Sequence, residues 1–398
     1  MSVSTTSVTG VSTGGTGQGL LLVLLSVVSV AATTLLAPIL PRMIAEFAAT
    51  DPAAEQKAVL ALAVPALVVA ITAPFMGRVI DSFGRKRLLV VALIAYAIIG
   101  ILPAFLNDLG AIIASRVALG IAEAAIMTAS TTMIGDYFRG GDREKWFVAQ
   151  ASAASISAII FFGIGGALGE VNWRNAYYVY AVALLSVPIA LAILREPAKT
   201  EAEQQVTALR FPWSRVIWLY LIAFVGAIIF FIPQIQVAFL LEERLVTSPA
   251  LVGITTAIGA VAVPVGSIIY KLRSKAPFWL NLLSAFVLMA AGLALMAWGP
   301  EYYTFLAGII IANLGCGIFL PLMLTSIMAH LHFDLRGRGT GGWQTAFFLG
   351  NFVSPLLILA VAGAAGGLSG NAVGIVAVAA LVAAVVTLLI RPRNELAA

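Results

Sequence analysis

The sequence predicts an all-α integral membrane fold: twelve transmembrane helices in two pseudo-symmetric six-helix bundles around a central cavity. Three observations predict it. The 398 residues are 61% hydrophobic and only 10% charged, with mean hydropathy +1.03, where a soluble chain carries about 25% charged residues. At about 20 residues per span and with short connections, this length accommodates about 12 helices. The charges also fall in short clusters that separate long apolar runs.

Taken in order, Met1 to Gln18 carries Ser, Thr, Gly and Val without charge. It lacks the basic n-region of a cleaved signal peptide and reads as a disordered tail, residues 1–18. Charges, Pro and Gly delimit spans near 19–41, 58–80, 87–106, 109–134, 147–169 and 174–194, which form the first bundle, 19–194. The longest charged stretch, REPAKTEAEQQVTALRFPW, is the linker, 195–213. A second set follows near 214–240, 250–270, 277–298, 303–329, 341–363 and 371–390, giving a second bundle, 214–391, and a short tail, 392–398.

Orientation follows from GRVIDSFGRKR, Gly77 to Arg87. Its four cations and one carboxylate cannot lie in hydrocarbon, where each central charge costs about 3 kcal/mol. The segment is therefore expected as a tight loop on one face, and its basic excess places that face in the cytoplasm. With both termini inside, eighteen of the 23 Lys and Arg fall on the cytoplasmic side. Only Arg42, Lys57, Arg174 and Arg244 fall outside, and Arg116 lies within a span. The expected location is the inner (plasma) membrane.

The halves also echo each other. Arg143 opens a stretch running into GIGGALG, and Arg336 opens RGRGTGGWQTAFFLGNFVSPLL in the matching place. Two six-span halves joined by a linker is the arrangement of alternating-access transporters.

At this point the residues resemble a known family, the major facilitator superfamily, from Leu20 to Arg391. Gly77, Asp81 and then Gly84-Arg85-Lys86 resemble its signature between the second and third helices. Arg116 with Gly120 resembles its fourth-helix pattern, and Trp173-Arg174 its Trp-Arg pair before the sixth helix. Arg336-Gly337-Arg338, with Pro355 further in, resembles its eleventh helix. One element departs from the drug/proton antiporter branch: its fifth helix carries Gly-Pro-x-x-Gly-Gly, and here Phe161 and Phe162 precede Gly165-Gly166. The resemblance implies a conformational latch at Gly77, Asp81, Gly84, Arg85 and Lys86. In it Asp81 meets the start of the eleventh helix around Gly339 to Trp343, favoured by the helix dipole. The alternative for Asp81 is a local salt bridge to Arg85 or Arg87.

Within the spans the ionisable residues are few. Glu123 is the one acid well inside a span, and Arg116 the one cation. Seven residues apart, they share nearly one helix face about 10 Å apart along the axis, with Gly120 between them. An intramembrane ionisable residue is by default a functional candidate. One reading makes Glu123 a protonatable carboxylate, with Arg116 tuning it, that couples movement of a solute to the proton gradient. The other is a fixed ion pair tying this helix to a neighbour.

Polar residues Thr34, Gln150, Gln234, Gln236, Asn313, Gln344 and Asn351 are candidates for lining the cavity, together with Ser26, Ser29, Thr33 and Ser155. Gln234 and Gln236 lie beside Pro233 and the run Phe230-Phe231, a mix of polar and aromatic groups typical of ligand pockets. Pro38, Pro41 and Pro233 bend their helices. Gly163, Gly165, Gly166 and Gly169 permit close helix packing. His330 and His332 read as loop-edge residues and Cys316 as a packing residue.

These readings exclude other classes. No G-x-x-x-x-G-K-[ST] motif occurs, the single cysteine excludes a disulfide framework and a thiolate metal cluster and two histidines are too few for a histidine-rich metal or haem site, and the cations form no nucleic-acid patch. No enzyme-like cluster, cofactor or metal is expected. The expected function is secondary active transport of a small organic solute by a monomer in the bilayer, coupled to protons and directed outward. The alternative is proton-coupled import of a small metabolite.

Overall fold

A computed structural model describes residues 14–196, 211–331 and 335–390. The terminal tails, most of the linker, residues 332–334 (His332 among them) and the side chains of Ser29, Asp81, Arg336, Leu389 and Ile390 lie outside what is described. Among the described residues there are twelve helices long and apolar enough to cross a membrane, from Thr16–Phe47 through to Ser369–Leu388. Numbered in chain order, the spans are Thr16–Phe47, Ala54–Ile80, Arg85–Phe105, Leu109–Tyr137, Gly140–Val171, Trp173–Ile193, Trp213–Ile235, Pro249–Leu272, Phe278–Trp298, Tyr302–Ala329, Arg338–Ala364 and Ser369–Leu388. The side chains pack into two main apolar cores. One is built from Leu21 to Leu194 with Ile235 added from the seventh span, and the other from Val216 to Ala384. Each six-span half therefore buries most of its own interior.

Helix edges follow the backbone chemistry. The first span is the most broken: a helix Thr16–Val27 passes through 3-10 turns at Val28–Val30 and Ala37–Ile39 before resuming at Leu40–Phe47. Pro38 and Pro41 sit at the second break, where their missing N–H groups remove helix hydrogen bonds. The seventh span is Trp213–Ile235 and stops two residues after Pro233. A separate short helix, Val237–Glu242, then continues it, so the run expected at 214–240 is two pieces. The bends therefore fall where the prolines place them in both halves.

The basic stretch at Gly77–Arg87 differs from the expected loop. The helix Ala54–Phe83 carries Arg78 well past the apolar run, and the next helix begins at Arg85. Gly84 alone makes the turn, with φ at 92°, a conformation costly for any residue with a Cβ. The charges thus ride on helix ends rather than on a loop.

Three glycines of the fifth span, Gly140–Val171, are packing positions. Gly165 lies against the backbone of Leu35 and Gly169 against the side chain of Ile39. A Cβ on Gly166 would fall on the Pro249 carbonyl and 2.9 Å from the Cα of Gly253. This brings the fifth span of one half against the eighth span, Pro249–Leu272, of the other. Gly163 meets nothing within 4 Å. Cys316 is fully buried, with Sγ 3.7 Å from the Phe230 carbonyl, as a packing residue should be.

Candidate functional site

The fourth span, Leu109–Tyr137, carries both interior charges. Gly120 lets it press on the second span: a Cβ there would lie 2.8 Å from Cβ of Val68 and 2.9 Å from the Pro65 carbonyl. Arg116 and Glu123 flank that contact, and both are buried, at 0% and 3% exposure.

Arg116 is held by neutral groups. Its Nη1 donates to the Tyr180 hydroxyl at 3.0 Å and its Nη2 to the Ala32 carbonyl at 2.8 Å. Its guanidinium also lies 5.4 Å from the centroid of the Tyr180 ring, within cation–π range. The Tyr96 hydroxyl donates to the Val28 carbonyl at 2.6 Å, and its ring packs on Tyr180 at 5.3 Å. Val28 and Ala32 belong to the broken stretch of the first span. Arg116 and Tyr96 therefore clamp that span where its own helix is interrupted.

Glu123 stands apart from this clamp. No ion pair joins it to Arg116 among the described residues, so the fixed-pair reading of these two does not describe their geometry. Its Oε2 has no hydrogen-bond partner among the described residues. It sits within electrostatic reach of Arg116, Tyr96 and Tyr180. A dehydrated carboxylate with no donor carries charge at heavy cost, whereas the neutral acid does not.

The other polar candidates divide by partner. Gln234 Nε2 donates to Asn313 Oδ1 at 2.5 Å, and Asn313 Nδ2 to the Ile309 carbonyl at 3.1 Å, tying the seventh span to the tenth. Gln236 is 3% exposed at the join between Trp213–Ile235 and Val237–Glu242. Thr34 donates back to Val30 at 2.7 Å, and Asn351 is buried. Gln150 is half-buried and donates to Thr131 Oγ1 at 3.0 Å, and Gln344 is half-buried too. Of the seven, Gln150 and Gln344 keep the most surface.

Beside Gln344 lies a group that a search for polar residues passes over. Trp343 stacks on Phe347 at 5.2 Å and 18°. Phe347 in turn touches Phe230 and Phe231, at 5.2 and 5.1 Å. Phe231 packs against both apolar cores and Phe348 against the first, so the cluster lies at the seam between the halves. The indole N–H of Trp343 has no partner among the described residues. Helical spacing in WQTAFF brings Trp343 and Phe347 to one face, but nothing in the sequence joins them to Phe230-Phe231.

A family model described as Major Facilitator Superfamily matches residues 22–355. The chain belongs to the Major Facilitator Superfamily. Its twelve helices of membrane-crossing length fit that membership. Among curated relatives, Multidrug resistance protein 1 of Bacillus subtilis is 32% identical over 161 residues, 40% of this chain and 41% of that protein. The class B tetracycline resistance protein of Escherichia coli is 31% identical over 160 residues, 40% of this chain and 39% of that one. The match thus spans about two-fifths of the length of each. The quinolone resistance protein NorA of Staphylococcus aureus is 23% identical but covers 75% of this chain and 79% of its own. Among solved structures, a single-residue mutant of the nucleoside transporter NupG has TM-score 0.74 at 14% identity, covering 94% of this chain and 100% of that one. The human organic anion transporter MFSD10 has TM-score 0.69 at 16% identity, covering 93% and 99%. These structures share the superfamily fold.

Within that superfamily fold, the basic-end residues take partners in their own half. Arg85 Nε lies 2.7 Å from Asp136 Oδ2 on the fourth span, both side chains largely buried. Glu196 accepts from the backbone N–H groups of Arg85 at 2.5 Å and Lys86 at 2.9 Å. It thereby satisfies the start of the third span, where N–H groups have no helical acceptor. Lys86 Nζ donates to the Leu191 carbonyl at 2.8 Å. Gly77 is exposed on the second-span helix. His330 sits at the end of the tenth span with Nδ1 2.8 Å from the Ser326 carbonyl, a loop-edge position.

Proposed function

We propose that this chain is a proton-coupled antiporter that expels a small, amphipathic, uncharged or weakly cationic organic solute by alternating access. It acts as a monomer in the inner membrane, with the Gly84 end and both termini in the cytoplasm. The observation that carries this reading is Glu123: a buried carboxylate without a hydrogen-bond partner on Oε2, inside a transporter. Such a group exchanges a proton only when one side opens to it, which ties proton movement to the conformational cycle. The distribution of Lys and Arg supports the orientation. Relatives named for multidrug, tetracycline and quinolone resistance support outward movement of the solute.

On this reading, the Gly77–Lys86 segment with Asp81 acts as the latch at the cytoplasmic end, and the solute meets the seam between the halves near Gln344 and Trp343. Trp343→Ala removes both the stacking surface and the free indole donor, and should weaken solute binding about tenfold. Trp343→Phe keeps the ring and should recover most of it. Equilibrium dialysis of a fluorescent aromatic cation such as ethidium against the purified variants measures this; equal affinity for all three proteins excludes the seam as the binding place.

Proton-coupled import is the second reading, favoured by Phe161-Phe162 where the antiporter branch has its Gly-Pro motif. Reconstituted vesicles separate the two. An antiporter accumulates the cation inside vesicles with an acidified lumen, and a symporter inside vesicles with an alkaline lumen. Accumulation that ignores the pH gradient rejects both.

A further inference from the structure

Among the described residues, three helix starts are satisfied by a carboxylate from elsewhere. Glu196 serves the third span, and Glu243 serves the twelfth through the backbone N–H groups of Ser369 and Gly370. Both of these pairs lie within one half. The third crosses between halves. Glu170, at the end of the fifth span, accepts from the Ser248 hydroxyl at 2.7 Å and from the Ala250 backbone N–H at 3.0 Å. Ser248 is the N-cap of the eighth span, its hydroxyl also accepting from Leu251 N–H.

Local geometry makes this contact specific. Glu170 follows Gly166 by four residues, so both lie on one face of the fifth span. Gly166 lies against Gly253, so the two helices touch without intervening side chains. Glu170 is thereby aimed at the first turn of the eighth span, where unpaired N–H groups and the helix dipole favour a negative charge. Arg42 fixes the carboxylate from its own half, with Nη2 3.0 Å from Oε1 and Nη1 on the carbonyls of Gly169 and Glu170 at 3.0 and 2.5 Å. The side chains of Arg42 and Glu170 are 35% and 41% exposed, so water can replace the partners when the halves part.

From this we infer that Glu170 is a positioning residue for the transport cycle: it latches the end of the transporter opposite Gly84 shut by capping the eighth span across the halves. Opening that end breaks both cross-half hydrogen bonds and leaves Arg42 and Glu170 as a pair within one half. The bonds are solvent-exposed, so they bias the cycle rather than lock it. The inference rests on the alternating-access reading above.

The test is a distance measurement on the full-length protein in lipid nanodiscs. Spin labels are placed at Val171 and Leu245, which are 84% and 92% exposed on the two halves near this contact. Cys316 is fully buried and stays in place. Pulsed electron resonance on the otherwise unmodified protein should give a dominant short distance and a minor long one. Glu170→Ala should raise the ratio of long to short about tenfold. Ser248→Ala, which alters only the other half, should raise it by less. Unchanged ratios in both variants, with the long population visible, overturn the latch alone. A protein that never shows the long population, with or without solute, overturns the two-state reading and the latch with it.

Discussion

Glu123→Gln should abolish gradient-driven accumulation while leaving solute binding within about twofold of the unmodified protein. The change is nearly isosteric, and Oε2 of Glu123 has no hydrogen bond to lose. At 3% exposure, the site admits an amide at least as readily as an ionised carboxylate. Folding should therefore change by less than about 1 kcal/mol, and the two halves should assemble as before. What the amide cannot do is take up and release a proton. A gradient of one pH unit supplies about 1.4 kcal/mol, about tenfold accumulation for each proton exchanged per solute molecule. The unmodified protein should reach that order of accumulation in vesicles, and Glu123→Gln should stop at equal concentrations on both sides. Downhill exchange of labelled for unlabelled solute should persist, because it needs no proton. A variant that still concentrates the solute places the coupling proton on another group.

The number of spans and the bends at Pro38, Pro41 and Pro233 are legible in the sequence because each depends on local composition. Apolar length sets a span, and a missing N–H breaks a helix wherever it falls. Gly165, Gly166 and Gly169 of the fifth span are legible as packing positions for the same reason, although not what they pack against, while Gly163 meets nothing within 4 Å. Arg116 and Glu123 also stand out in the sequence, since few ionisable groups enter a membrane. Their relation does not. Helical spacing puts them on one face, but Arg116 takes the Tyr180 hydroxyl, 64 residues on, and the Ala32 carbonyl, 84 residues back. Glu170 reads as one more acid at a helix edge, because its partner Ser248 is 78 residues away in the other half. The aromatic cluster is hidden likewise: Phe230-Phe231 and Trp343 to Phe348 come together only when the seventh and eleventh spans pack. The basic stretch reads as a loop because charge density marks the membrane edge and not the helix end. One glycine at φ 92° suffices for the turn.

Arg116→Met should lower the thermal stability of the purified transporter more than any single surface change, by about 3 kcal/mol. Two effects oppose each other. Removing a buried cation that is bonded to no carboxylate among the described residues relieves a desolvation cost, and replacing such charges by apolar groups sometimes stabilises a protein. Against that, the substitution strands the Ala32 carbonyl and the Tyr180 hydroxyl, each worth about 1–3 kcal/mol when left unpaired, and it forfeits the stack on the Tyr180 ring. Arg116 has 0% exposure, so water cannot take the place of the lost donors. The stranded groups outweigh the relieved charge because the Ala32 carbonyl lies in the broken stretch of the first span, next to an interrupted helix. Arg116→Lys distinguishes geometry from charge. A single ammonium reaches either the first span or the sixth but does not bridge both as the planar guanidinium does, so it should recover only part of the loss. Unfolding in detergent monitored by intrinsic fluorescence should rank the proteins Arg, Lys, Met from most to least stable. The same order should hold for transport rate, since the clamp fixes the place of the first span's interrupted stretch. A Met variant that melts at or above the unmodified protein would mean that the buried charge was the larger effect and that the clamp contributes little to the fold.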